Sequence, residues 1–315
     1  MSKFLYKYIG PAMLDKVFSE LGHFTLKCSL PKSFNDPYEL FLTLDFRERP
    51  EALAYFADVV GDLPQIPTTC FSRSPTVIPM WAHYAQNLEG FAIELDEGKL
   101  ATAFPESGFG DVDYMDAPRE GLTDMLYRAF EIQKPRYVHF LRKGVFSSAY
   151  YTKTTCWSYE NERRMLVNAK EVRRAEDLIL IDVPNNCMTS IIAGPRASSE
   201  LQEKLRAKAA EIGCKFLQIK IGRTSSVPYF LDVRGASHVF ENDALKMADN
   251  VCCKCKEPSA PDVDECSWCQ IDDSHRVNAA RRNPYRMMAH YGLLDSYIQG
   301  VMAIDRDIAN KHRGS

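Results

Sequence analysis

The chain has 315 residues, of which 45% are hydrophobic and 26% charged, and its formal net charge is −3. That length holds one large domain, or one with a small appendage, and the composition is that of a globular protein. It excludes a surface that is basic throughout and, with no run of about eighteen apolar residues, predicts no membrane span; a local basic patch is still allowed.

In chain order, Phe4–Ile9 alternates aromatic and basic residues and predicts a strand, broken by Gly10-Pro11. The spacing of Met13, Leu14, Val17, Phe18 and Leu21 predicts a helix over 12–21, stopped by Gly22. Residues 24–30 read as a second strand. In the loop that follows, Asn35-Asp36-Pro37 is good turn chemistry, because Asn and Asp cap their own backbone and proline fixes φ. A helix over 51–60 and a strand over Thr68–Ser72 come next. Residues 79–85 open another helix, with proline in its first turn. Met80, Trp81 and Tyr84 share a face there, with His83 to one side; a lone His beside aromatics is more often packed than catalytic. Residues 90–95 predict a strand, and 119–142 a longer helix interrupted by Pro135.

Further strands are predicted over 165–167, 178–183, 189–193, 215–221 and 228–233. Ser199–Ile212 is an amphipathic helix with Leu201, Leu205, Ala209 and Ile212 on one side. The fold class expected is α+β, a strand-rich mixed core with flanking helices and no regular β-α-β alternation. Neither a GxGxxG nor a GxxxxGK[ST] phosphate loop occurs.

The stretch Trp157-Ser158-Tyr159-Glu160-Asn161-Glu162-Arg163-Arg164 stands out. On a strand, Glu160 and Glu162 point to one face. On a helix, Glu160 and Arg164 make a solvated ion pair four residues apart. Leading into Met165-Leu166-Val167, the stretch reads better as a strand entering the core with two carboxylates at its mouth.

Five cysteines are scattered (Cys28, Cys70, Cys156, Cys187, Cys214), and the N-terminus lacks a signal-peptide apolar core, which predicts reduced thiols and a cytoplasmic protein. The other five cluster. Cys252-x2-Cys255-x10-Cys266-x2-Cys269 places two sulfurs on each of two tight turns, the donor set of a structural Zn²⁺, with Cys253 competing for the place of Cys252. A closed four-thiolate site leaves no position for water, so the metal is assigned to folding. The expected division is a main domain over 1–240 and, over 241–315, a small zinc ribbon with a basic segment and a C-terminal helix. Between Ser274 and Leu294 stand Arg276, Arg281, Arg282 and Arg286 and no acidic residue. Interleaved with Tyr and His, they could contact nucleic acid; a solvated helix face or an intramolecular clamp is the alternative. A final helix over 285–311 packs on the core or forms an oligomer interface.

Four patches together resemble a bacterial domain family of unknown function (number twenty-nine seventy-one). They are Leu5-Tyr6-Lys7-Tyr8; Phe34-Asn35-Asp36-Pro37-Tyr38-Glu39; Cys70-Phe71-Ser72 with Met80-Trp81-Ala82-His83-Tyr84-Ala85 and Gly90-Phe91; and Lys153 with Trp157 to Arg163. The resemblance spans about residues 4–220 and implies no activity. More weakly, the order of patches is similar to ADP-ribosyltransferases, which end on a Glu-x-Glu or a lone Glu. That resemblance implies NAD as substrate. It makes Glu162 the carboxylate that stabilises the ribosyl cation and Glu160 the one that orients the acceptor. It implies that Lys7, Tyr8, Asn35, Asp36, Ser72, His83 and Tyr84 bind NAD, with Lys7 and Tyr8 where those enzymes carry His or Arg. The acceptor would be nucleic acid or protein, and bacterial conflict or phage defence the setting by analogy. Two other readings stay open. One is a metal-dependent nuclease in which Asp36, Glu39, Glu160 and Glu162 gather Mg²⁺ around His83. The other is a non-enzymatic zinc-ribbon module binding nucleic acid or protein, its Asn35, Asp36, Trp81 and His83 forming a core hydrogen-bond network.

Overall fold

Phe4–Ile9 is the strand around which the fold is laid out. Leu5 and Ile9 join one apolar cluster with Phe71, Phe91 and Met165, while Tyr6 and Tyr8 join another with Met80, Trp81 and Phe230. This is the period-two pattern of a strand buried on both faces. The computed structural model describes residues 3–34, 36, 38, 43–119 and 121–313.

A 10-stranded sheet runs, edge to edge, Ala244–Met247, Ser237–Glu241, Tyr229–Asp232, Lys215–Lys220, Met188–Ala193, Phe91–Asp96, Phe4–Ile9, Thr68–Ser72, Glu162–Leu166 and Gly108–Asp111. Met188–Ala193 and Lys215–Lys220 pair parallel, and the remaining neighbours pair antiparallel. A parallel pair needs a crossover, which Ser199–Ile212 supplies. That helix starts where the Ser198 hydroxyl accepts the Leu201 N–H and stops at Gly213, whose φ of 80° suits glycine. A second sheet orders His23–Cys28, Leu178–Pro184 and Arg173–Ala175. Helices Pro50–Val60, Leu122–Ile132 and Pro135–Tyr151 enclose a third cluster that includes Ala52, Leu126, Leu141 and Val145. The architecture is thus α+β, with a strand-rich core and flanking helices. No helix among the described residues is long and apolar enough to cross a membrane.

Several elements depart from the sequence reading. The helix expected over 12–21 is only a 3-10 turn, Pro11–Met13, and one helical turn, Leu14–Val17; Leu21, counted in its apolar stripe, is 94% exposed. The helix over 119–142 is two helices, since Pro135 starts a second one that runs to Tyr151. The final helix is broken at Gly292 (φ 68°) into Pro284–His290 and Leu294–Arg313.

Two compact units make up the chain, Met1–Asp249 and Asn250–Ser315. Strands Ser237–Glu241 and Ala244–Met247 close one edge of the large sheet, and so belong to the first unit. The second holds the cysteine turns and the helices Asp273–Arg282, Pro284–His290 and Leu294–Arg313.

Candidate functional site

Thr68–Ser72 lies between Phe4–Ile9 and Glu162–Leu166, and its Ser72 stands opposite Tyr6 on one side and Glu162 on the other. That row of three opens on a cavity of about 340 Å³ whose wall includes Lys7, Tyr8, Ser72, Tyr84, Glu160 and Glu162. Six residues named from the sequence therefore meet in one place, drawn from three strands, a helix end and a turn.

The two glutamates do not share a strand. Glu160 ends the 3-10 segment Thr155–Glu160; Asn161 follows with φ 45° and ψ 55°, and Glu162 begins the strand Glu162–Leu166. Asparagine tolerates this left-handed conformation better than most residues, because its short polar side chain can bond locally. The carboxylates converge through that turn, with Lys153 as the link, rather than through strand alternation. Lys153 Nζ donates to Glu160 Oε2 at 2.7 Å and lies 3.5 Å from Glu162 Oε2. Tyr84 Oη donates to Glu160 Oε1 at 2.6 Å. Arg164, two residues beyond Glu162 on the same face, grips it in bidentate fashion, with Nε to Oε1 at 2.9 Å and Nη2 to Oε2 at 3.1 Å. The helical ion pair between Glu160 and Arg164 does not form. Arg163, on the other face, pairs with Glu97 and Asp111.

These partners separate the two acids. Burial pushes Glu162 up, but the Arg164 guanidinium, followed by Lys153, more than offsets it and holds the carboxyl down at about 2. For Glu160, burial is the larger cause and the Glu162 charge adds to it, so its pKa is raised despite Lys153 and Tyr84. One carboxylate is thus locked ionised, while its neighbour takes up a proton more readily than an ordinary glutamate.

The other expected site residues are placed as follows. Ser72 Oγ donates to the Glu160 carbonyl at 2.7 Å and so pins the 3-10 segment. Tyr8 Oη donates to the Ser74 carbonyl at 2.7 Å. Lys7 Nζ donates to Thr69 Oγ1 and to the Cys70 carbonyl, and burial pushes its pKa down. His83 is exposed, bonds Tyr159 Oη through Nδ1 at 3.0 Å, and lies off the cavity wall. Trp81 Nε1 donates to the Pro75 carbonyl, so Trp81 and His83 are bonded separately rather than in one network. Asp36 is buried and also off the wall; its Oδ1 accepts the Tyr38 N–H, and Oδ2 has no partner among the described residues. Asn35 and Glu39 lie outside the described residues.

Sequence reasoning missed Lys153 and Arg164 as site residues. Arg164 was readable from strand alternation, which puts it beside Glu162. Lys153 stood in the fourth patch of the family resemblance without a role; it reaches the glutamates from the end of a different strand, Thr152–Lys153.

In the second unit the ligand atoms of Cys252, Cys255, Cys266 and Cys269 all lie within 4.8 Å of one another, and the group could hold a metal ion. Cys253 is exposed and stands outside this group, which takes in Cys252. Among the described residues this is the one such group found; at the cavity, the charges of Glu160 and Glu162 are met by Lys153 and Arg164, where the nuclease reading needs Mg²⁺. Arg276, Arg281 and Arg282 are exposed on Asp273–Arg282, as is Arg286 on Pro284–His290.

Residues 80–165 match a family described as a protein of unknown function (DUF2971). The match takes in Met80 to Ala85, Lys153 and Trp157 to Arg163; the patches at 5–8, 34–39 and 70–72 lie before it. No curated protein matches the chain. Among solved structures, the chain is similar to Thermus sp. 2.9 DarT in complex with ADP-ribosylated ssDNA. The identity is 12%, the coverage 67% of this chain and 90% of that one, and the TM-score 0.30.

Proposed function

We propose that the Met1–Asp249 unit is an ADP-ribosyltransferase-like enzyme that breaks the nicotinamide–ribose bond of NAD. The observation that carries this reading is the separation of two adjacent carboxyls at one cavity, Glu162 held ionised and Glu160 raised. As nicotinamide leaves with the bonding electrons, the ribose gains oxocarbenium character, and a fixed carboxylate beside it lowers the barrier. Glu162 is suited to that role because Arg164 sets its orientation and keeps it ionised. Glu160 is suited to take the proton from an acceptor O–H or N–H as the new bond to the ribose carbon forms, with Tyr84 and Lys153 fixing its two oxygens. The order of sequence patches supports the same assignment. Tyr8, Ser72 and Tyr84 shape the pocket, and Lys7 supplies positive charge to its wall.

The four cysteines suit zinc. A tetrahedral Zn–S bond of about 2.3 Å sets neighbouring sulfurs about 3.8 Å apart, and Cys255 Sγ lies 3.8 Å from Cys266 Sγ. Such a site folds the second unit. Its exposed arginines would bring a nucleic-acid acceptor through phosphate contacts. Free thiols and zinc thiolates fit a reducing compartment such as the cytoplasm.

The test is mass-spectrometric detection of nicotinamide and ADP-ribosyl products, with single-stranded DNA, RNA and protein offered as acceptors. Wild type releases nicotinamide, and Glu162→Gln loses at least about 100-fold in rate, the scale of one electrostatic group in a transition state. Intact NAD after prolonged incubation with every acceptor refutes the reading.

A further inference from the structure

Two lysines in the cavity wall have no acidic partner among the described residues. Lys7 is half-buried, and its Nζ reaches only neutral acceptors, Thr69 Oγ1 at 3.1 Å and the Cys70 carbonyl at 2.9 Å. Lys27, from the strand His23–Cys28, lines the same cavity and makes no hydrogen bond or ion pair among the described residues. Ser29 lines it too; its backbone is tied to Thr68 by two hydrogen bonds, while its hydroxyl makes none among the described residues. The Lys27 charge acts on Lys7 in the lowering direction, behind burial, which also lowers its pKa, and Cys70, Cys28 and Glu162, which raise it. Glu162 eases the Lys7 charge without pairing with it, because the glutamates make their ion pairs with Lys153 and Arg164.

A half-buried Lys7 ammonium that meets only neutral acceptors, an exposed Lys27 without an ion pair on the same wall and a spare hydroxyl together form a site that an oxyanion would complete. We infer that Lys7, Lys27 and Ser29 form a phosphate subsite that receives the diphosphate of a nucleotide-type ligand. Two ammonium groups call for at least two negative charges on one ligand, which a diphosphate carries and a lone carboxylate does not. The sheet geometry supports the grouping. Lys7 comes from the large sheet and Lys27 from the small one, and the Ser29–Thr68 bridge holds the two sheets together at this point. The identity of the ligand rests on the function proposed above; the anion site itself does not.

The experiment is calorimetric titration of the full chain with inorganic pyrophosphate and with ADP-ribose, for wild type, Lys27→Gln and Lys27→Arg. Lys27 is exposed, so both variants are expected to fold; Lys7→Met is a second probe, used if its melting profile matches wild type. Wild type binds both ligands, Lys27→Gln weakens both about tenfold or more, and Lys27→Arg restores most of the affinity. Binding elsewhere, such as at the C-terminal arginines, cancels in the comparison at Lys27. Absence of pyrophosphate binding to wild type, or equal affinity in Lys27→Gln, overturns the subsite. The two proposals fail separately. Lys27-dependent pyrophosphate binding without NAD turnover upholds the subsite and sinks the transferase reading. NAD turnover with an unchanged KM in Lys27→Gln does the reverse.

Discussion

Replacing Arg164 with methionine tests the electrostatic account of the site most directly. Arg164 is fully buried and holds both oxygens of Glu162, which is 6% exposed. Two routes give the size of the effect. The Glu162 carboxyl is lowered from 4.5 to about 2 in the folded chain, which corresponds to about 3 kcal/mol of stability at neutral pH. Breaking a buried ion pair by removing one partner costs about 3–5 kcal/mol. Because the folded pKa is depressed, this contribution is present above about pH 4.5 and is lost as pH falls through about 2. In Arg164→Met, burial acts on Glu162 with Lys153 and the Cys70 hydrogen bond left to oppose it, so its pKa climbs and acid relieves the variant. The penalty is therefore largest at pH 7 and shrinks toward pH 5. Urea unfolding of both proteins at each pH, followed by tryptophan fluorescence, measures it; the melting temperature at pH 7 should fall by about 6–12 °C. The double variant Arg164→Met with Glu162→Gln removes both charges and should recover most of the loss. A penalty below about 1 kcal/mol, or one that is the same at both pH values, refutes the reasoning.

Other outcomes follow from the same geometry. Glu160 carries a raised pKa, so activity should rise with pH through a value above the ordinary glutamate range. Glu160→Gln should lower the rate and remove that acid limb, which a pH–rate profile will show. Metal analysis should find one zinc per chain, and Cys266→Ser or a strong chelator should unfold Asn250–Ser315 while the strands of Met1–Asp249 keep their circular dichroism. Changing Arg276, Arg281, Arg282 and Arg286 together to glutamine should weaken single-stranded nucleic-acid binding and flatten its salt dependence by about 3 in log–log slope, read by fluorescence anisotropy in a salt series.

How far the sequence could be read depended on whether the information was local. The first strand, the Ser199–Ile212 helix and the cysteine turns were legible, because period and spacing carry them. The strand Gly108–Asp111 was not, since two of its four residues are glycines and it takes its place by pairing with Glu162–Leu166. Glu160 and Glu162 were legible as a pair, but the geometry that joins them was not. Asn161 turns the chain between them, and Lys153 and Arg164 decide which carboxylate keeps its charge. Such assignments come from burial and from partners distant in sequence, which no window of residues contains.

The Lys27 strand has a consequence for the life of the protein before it is finished. His23–Cys28 is held by Leu178–Pro184, a pairing that spans most of the first two hundred residues. While the chain is being made, Lys7 and Lys27 emerge early, and the Ser29–Thr68 bridge can form soon after, yet the Lys27 strand gains its sheet partner only once the ribosome has passed residue 184. Contacts of such long sequence separation form late and slowly. A nascent or truncated chain that already contains both glutamates therefore still lacks the strand that pairs with His23–Cys28.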